Sequence, residues 1–180
     1  VKKGSPTDHL SWLGHYVVAK KPDVIICGGD FADMPSLSFY DEGKKQAEGQ
    51  RYEDDILAAK QAMARFFQPI VAYNDKMRAQ HDKLYEPELH LTLGNHEYRI
   101  KRAVDKDAKY EGKISIDDLG YESFGWNVHP FQRPVFIDGV AYCHFFPSGA
   151  KGLPIGSAAK MLTMLHCSAV AGHKPGRDIA

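Results

Sequence analysis

The sequence predicts an α/β domain built on two sheets, and three observations predict it. Asp23-Val24-Ile25-Ile26-Cys27 is a continuous apolar run rich in β-branched residues and closed by Gly28-Gly29, the pattern of a parallel strand buried on both faces. Pro87 to Leu93 repeats that strand texture after a long amphipathic helical pattern. Beyond Gly125 the texture changes to short β-like runs separated by prolines and by the Asp138-Gly139 hairpin signal, which predicts a second, more antiparallel sheet.

Taken in order, Leu10, Leu13, Tyr16 and Val17 lie at helical spacing over residues 8 to 20, with Ser5 or Thr7 available to cap the start. The strand of residues 23 to 27 follows. Met34 to Gln50 has no apolar period that would bury a face, so it reads as a long loop, either a lid or a surface excursion. From Arg51 to Gln80, Tyr52, Ile56, Ala59, Met63, Phe66 and Ile70 predict a long helix, which Pro69 is expected to kink or split. Glu97 to Lys109 reads as a helix bearing Arg99, Lys101 and Arg102, and Ile114 to Tyr121 as a short turn of helix. Trp126–His129, Pro134–Ile137 and Val140–His144 are expected in the second sheet. A Gly/Pro-rich loop, a helix over Ser157–Leu165 and a strand Ser168–Ala171 ending at Gly172-His173 complete the chain.

Composition sets outer bounds. At 180 residues, 43% hydrophobic and 26% charged, the chain reads as one globular domain over residues 1–180. Its 23 basic and 23 acidic residues cancel, so global charge does not indicate nucleic acid or an anionic membrane as partner. No apolar run approaches the roughly 18 residues of a membrane span. Cys27, Cys143 and Cys167 lack CxxC spacing and lie in or beside apolar runs, which predicts core residues in a reducing, cytoplasmic compartment.

Chemistry concentrates at four strand ends, at Asp30, Asn95, His144 and His173. In open α/β sheets ligands sit outside the carboxyl ends of strands, so residues far apart in sequence converge there. A carboxylate, an amide oxygen and two imidazoles form a mixed O/N set suited to Mn, Fe, Ni or Zn. The glycines before Asp30, Asn95 and His173 let backbone approach a crowded ion. His96 stands beside Asn95 as an acid/base group. His166, at a helix end, reads as a capping cation or a fallback ligand. His9, His15, His81, His90 and His129 read as surface or packing residues.

Gly29-Asp30-Phe31-Ala32-Asp33, Gly94-Asn95-His96-Glu97, the isolated His144 and Gly172-His173, in that order, resemble motifs two to five of the calcineurin-like metallophosphoesterases. The resemblance covers residues 22 to 176, and Asp33 to Ser38 with Gly125-Trp126 resembles bacteriophage-encoded members. It implies two packed sheets flanked by helices, the α/β/β/α sandwich, around a dinuclear centre of divalent transition metals. Asp30 would bridge the metals, with Asn95, His144 and His173 completing the second site. A metal-activated hydroxide would attack a phosphoester, His96 would act as general acid, and Asp33 would hold its tautomer. Arg99 or Arg102 would hold the phosphate.

Two departures bear on that expectation. The family's first motif, Asp-x-His after a first strand, has no counterpart in residues 1 to 29, where Asp8 and His9 are adjacent and follow no apolar run. Position 175, where the family has a histidine, is Pro175. The expectation is therefore a chain truncated at its N-terminus, with its first strand missing, the second metal site complete and the first incomplete. The alternative is a degenerate member that serves as a metal-binding or protein-binding scaffold.

Overall fold

A computed structural model describes residues 1–173. Its elements are α1 (Asp8–Lys20), β1 (Val24–Cys27), α2 (Tyr52–Ala79), β2 (Glu88–Thr92), α3 (Tyr98–Lys106), β3 (Asn127–His129), β4 (Val135–Ile137), β5 (Val140–Cys143), β6 (Pro147–Ser148), β7 (Leu153–Pro154), α4 (Ala158–Leu165) and β8 (Ser168–Ala171). Pro175 lies outside the described residues.

The first sheet is parallel in the order β1-β2-β3, with Ile26 opposite His90 and Leu91 opposite Val128. Alternation along β2 turns Leu89, Leu91 and Leu93 into one core with Ile56, Ala59, Met63, Phe66 and Ile70 of α2 and Leu10 and Val17 of α1. Burying each such Leu or Ile contributes about 1.5–3 kcal/mol. The second sheet, β4-β5-β8, joins an antiparallel hairpin to a parallel strand, and Ala141, Cys143 and Phe146 pack there with Met161 and Leu165 of α4. Asp138 and Gly139 both have positive φ, 49° and 77°, as the two-residue hairpin turn requires. The mixed α/β architecture, two principal sheets with helices, agrees with the predicted class.

Two local expectations are corrected. Trp126–His129 belongs to the parallel sheet rather than the second one. A series of 3-10 turns between Ala108 and Phe124 carries the chain back so that β3 enters beside β2. Trp126 anchors that return, its indole nitrogen donating to Met63 Sδ at 3.2 Å and its ring stacked on Phe66. A three-residue strand carries no mark of which sheet it joins. Nor does Pro69 split its helix. Phe66, Pro69 and Ile70 are all buried, and α2 continues through them for 28 residues, tertiary packing overriding local propensity.

The segment after Met34 is organised by three 3-10 turns, with Ser36 N donating to the buried carboxylate of Asp55 at 2.9 Å.

Across β2 and β3, His90 Nδ1 and His129 Nε2 lie 2.9 Å apart, with ring centroids separated by 5.1 Å and planes inclined by only 15°. Nitrogens that close on rings whose centres are that far apart meet end to end, so the pair shares one proton. His90 Nε2 is 2.9 Å from Glu88 Oε1 but out of line for a hydrogen bond. Burial, and then the charge of His90, hold the His129 imidazole below its ordinary value of 6.5. A folded value below the unfolded one means that the unfolded chain takes up the proton first. This contribution to stability is complete above the unfolded value and is lost as pH falls through it. Thermal melts at pH 7.5 and 5 should therefore show a larger acid-induced drop in wild type than in His129→Gln; equal drops would contradict the shared-proton reading.

Candidate metal centre

Four loops bring the site together. Asp30 lies three residues beyond β1 in the left-handed region, φ 55°, and Asn95 lies three residues beyond β2. His144 directly follows β5, and His173 lies two residues beyond β8. The pairing of β5 with β8 extends past the strands, because the backbone amides of Gly172 and His173 both donate to His144 O, at 2.9 and 2.8 Å. The two sheets meet here by direct backbone approach. A Cβ on Gly172 would sit 2.3 Å from Gly28 O, and one on Gly94 would sit 2.1 Å from Asp30 Oδ1, so both positions require glycine.

His144 is fully buried, and its two ring nitrogens have different tasks. Nδ1 lies 2.8 Å from Gly28 O, a carbonyl that only accepts, so Nδ1 carries the proton and donates it. Around Nε2 stand Asn95 Oδ1 at 3.0 Å, His173 Nδ1 at 3.1 Å and Asp30 Oδ2 at 3.2 Å. Four lone-pair atoms thus converge on one point. A single proton satisfies one of those contacts, whereas a cation in the middle satisfies all of them. Ligand bonds of about 2.1 Å set ligand-to-ligand edges of about 3.0–3.4 Å, the range of the three edges that leave His144 Nε2. Among the described residues, Asp30, His144 and His173 form the one group of three or more His, Cys, Asp or Glu side chains whose ligand atoms all lie within 4.8 Å. The donor set therefore fits a divalent transition metal.

Asp30 and His144 also balance each other's charge. Burial raises the Asp30 carboxyl, but hydrogen bonds from His144 and from the His96 amide outweigh it and hold Asp30 below the usual carboxylate range. Burial lowers the His144 imidazole, and its bonds to Asp30 and to Gly28 O outweigh that, so it stands above 6.5.

The scaffold behind these ligands is Glu97, with no exposed surface. Its Oε2 accepts from the amides of Asp30 at 3.0 Å and Gly94 at 2.9 Å, and its Oε1 accepts from Ala32 N at 2.9 Å and from the Tyr121 hydroxyl at 3.3 Å. One carboxylate thus binds the loop of Asp30 to the loop of Asn95. Burial and then the Glu97 charge push the Tyr121 phenol well above its ordinary range, so it remains a donor. The sequence reading gave Glu97 no role. Its signal was the three-residue spacing from Gly94 at a helix start, where a glutamate reaches back to a free amide. Tyr121, from a distant turn, had none.

Beside this cluster His96 Nδ1 meets Asp33 Oδ1 at 2.6 Å, while the His96 amide donates to Asp30 Oδ1 at 2.9 Å. Arg99 donates to the carbonyls of Asp33 and Met34, at 2.9 and 3.3 Å, and Arg102 donates to Asn95 O at 3.0 Å. All eight sequence-identified site residues therefore fall in one region. His166, the fallback ligand, caps α4 with φ 54° and is not in the group.

A family model described as calcineurin-like phosphoesterase matches residues 3–151, most of the chain. The chain belongs to that family. Comparison with curated proteins and with solved structures returns no match. The match spans three of the four clustered side chains, Asp30, Asn95 and His144, together with His96 and Asp33. Members of the family hydrolyse phosphoesters with divalent metals, and membership implies that class of activity here. No helix among the described residues is long and apolar enough to cross a membrane.

Replacing Glu97 tests the scaffold directly. Glu97→Gln presents an amide N–H2 to buried N–H groups, so it should cost about 2–4 kcal/mol of stability in thermal or urea unfolding and weaken metal binding. Tyr121→Phe, which removes one donor, should cost about 1 kcal/mol. A Glu97→Gln protein with unchanged stability would contradict the clamp.

Proposed function

We propose that the chain is a metal-dependent phosphoester hydrolase whose principal metal is held by Asp30, Asn95, His144 and His173. The observation that carries this reading is the convergence of four lone-pair atoms around His144 Nε2. When bound, a divalent metal supplies a Lewis acid for the phosphoryl oxygens and lowers the pKa of water toward neutrality.

The protein's own groups do the rest. Asp33, 2.6 Å from His96 Nδ1, accepts that proton and so directs Nε2 toward the centre. His96 Nε2 lies 3.9 Å from Asp30 Oδ2, so it would stand beside a metal held by those four side chains rather than among them. Protonated there, it hands its proton to the leaving oxygen as the ester bond breaks. Arg102 is exposed, and its partner is a carbonyl, which leaves its positive charge available to a phosphate. Phosphoryl transfer demands mainly positioning and charge stabilisation, which this arrangement supplies.

The His96–Asp33 pair favours turnover over a purely scaffolding role, because metal binding alone has no use for a directed imidazole next to the ligands. With manganese and a phosphate ester of a poor leaving group, His96→Ala should lower kcat about 10²- to 10³-fold, and by much less with a nitrophenyl ester, whose leaving oxygen needs little protonation. Equal losses on both esters would remove His96 from the acid role. Absence of turnover in wild type would move the reading to the scaffold.

A further inference from the structure

We propose that Arg99 is a positioning residue that fixes the Asp33–His96 pair, and not a ligand for the substrate phosphate. The inference rests on the hydrolase reading above and concerns how its acid is held.

Arg99 stands in the first turn of α3, three residues after His96, and its side chain is only 14% exposed. One guanidinium nitrogen donates to the carbonyl oxygens of both Asp33 and Met34 and lies 3.9 Å from Asp33 Oδ1. The other lies 3.4 Å from His96 Nε2. These contacts meet at a turn the chain does not adopt freely. Met34 has φ 49° and is completely buried, a left-handed conformation that L side chains rarely accept. In the tight turn the Met34 carbonyl already accepts from Leu37 N at 3.2 Å, whereas that of Asp33 takes its donor from Arg99, and a planar guanidinium reaches both with its second arm beside the imidazole. Asp33 holds the His96 ring at Nδ1, while the Arg99 nitrogen near Nε2 borders the neutral ring; once Nε2 is protonated both groups are donors, so Arg99 acts through the carbonyls and Asp33.

Phosphate binding would require Arg99 to release both carbonyls, and that of Asp33 would lose this donor, while Met34 would keep Leu37 N. Arg102, one turn further along α3, differs in each respect, being exposed and bonded to a single carbonyl. The two arginines therefore separate by role: Arg102 meets substrate, and Arg99 holds the strained turn that aims Asp33 at His96.

The roles predict different kinetics. With manganese and a phosphate ester of a poor leaving group, Arg99→Ala should lower kcat about 10- to 100-fold with KM within about 2-fold of wild type, since a displaced acid costs rate and not ground-state binding. Arg102→Ala should mainly raise KM. Arg99→Lys retains the charge but not the fork, so it should share the kcat loss, and it carries the test if the alanine variant does not fold. A second readout needs neither metal nor turnover. The proton on His96 Nδ1, held by Asp33, should give a protected downfield NMR signal in metal-free wild type that Arg99→Lys and Arg99→Ala lose. A raised KM with retained kcat, full activity in Arg99→Lys, or an unchanged His96 proton would each overturn the proposal. If wild type shows no turnover, the hydrolase reading fails separately, and the His96 proton alone decides the role of Arg99.

Discussion

The structure depends most on the carboxylate of Glu97. Two loops that carry metal-type ligands leave neighbouring parallel strands, and each exposes backbone amides that no strand pairs. Glu97 accepts three of those amides and a tyrosine hydroxyl from a position without solvent. A buried carboxylate is expensive unless its lone pairs are filled, and here they are. In return the loops lose their freedom, and Asp30 and Asn95 are held near His144. The same contact brings Gly94 against the Asp30 carboxylate, where no larger residue fits.

On this scaffold the remaining arrangement follows from charge. Carboxylate, amide oxygen and two imidazoles converge on a spot where lone pairs face one another, a setting that suits a positive charge. Asp30 and His144 compensate by sharing a proton, which is why the carboxyl is held low and the imidazole high. His96 sits just outside, directed by Asp33, with Arg99 against its far nitrogen. The Asp30 cluster and the His96–Asp33 pair thus share a wall, and Asp30 belongs to both through the His96 amide.

Much of this was legible in the sequence, and the reasons differ by residue. Asp30 and Asn95 could be read because each follows an apolar run that can only be a buried strand, and polar residues at such ends have few bland explanations. His144 and His173 could be placed because each follows closely on a short apolar run, although the parallel pairing of β5 with β8 that joins them is a long-range fact with no local signature. The same limitation misassigned Trp126–His129, whose three-residue strand is defined by the packing of Trp126 on α2. Pro69 misled in the opposite direction, since its effect on a helix is local and the burial that overrides it is not. Glu97 lay in the most informative motif of the chain yet carried no assigned task, because its partners are backbone amides and sequence does not display them. The end-on pair of His90 and His129 was hidden for a similar reason, each histidine being unremarkable until its strands are aligned.

The central claim is that a metal ion belongs at the point where Asp30, Asn95, His144 and His173 converge. The most direct test is an anomalous difference map from crystals of the protein grown with manganese. The account predicts a strong peak within bonding distance, about 2.0–2.3 Å, of all four side chains, with His96 outside the coordination sphere. An empty centre, or a peak held by other residues, would contradict it.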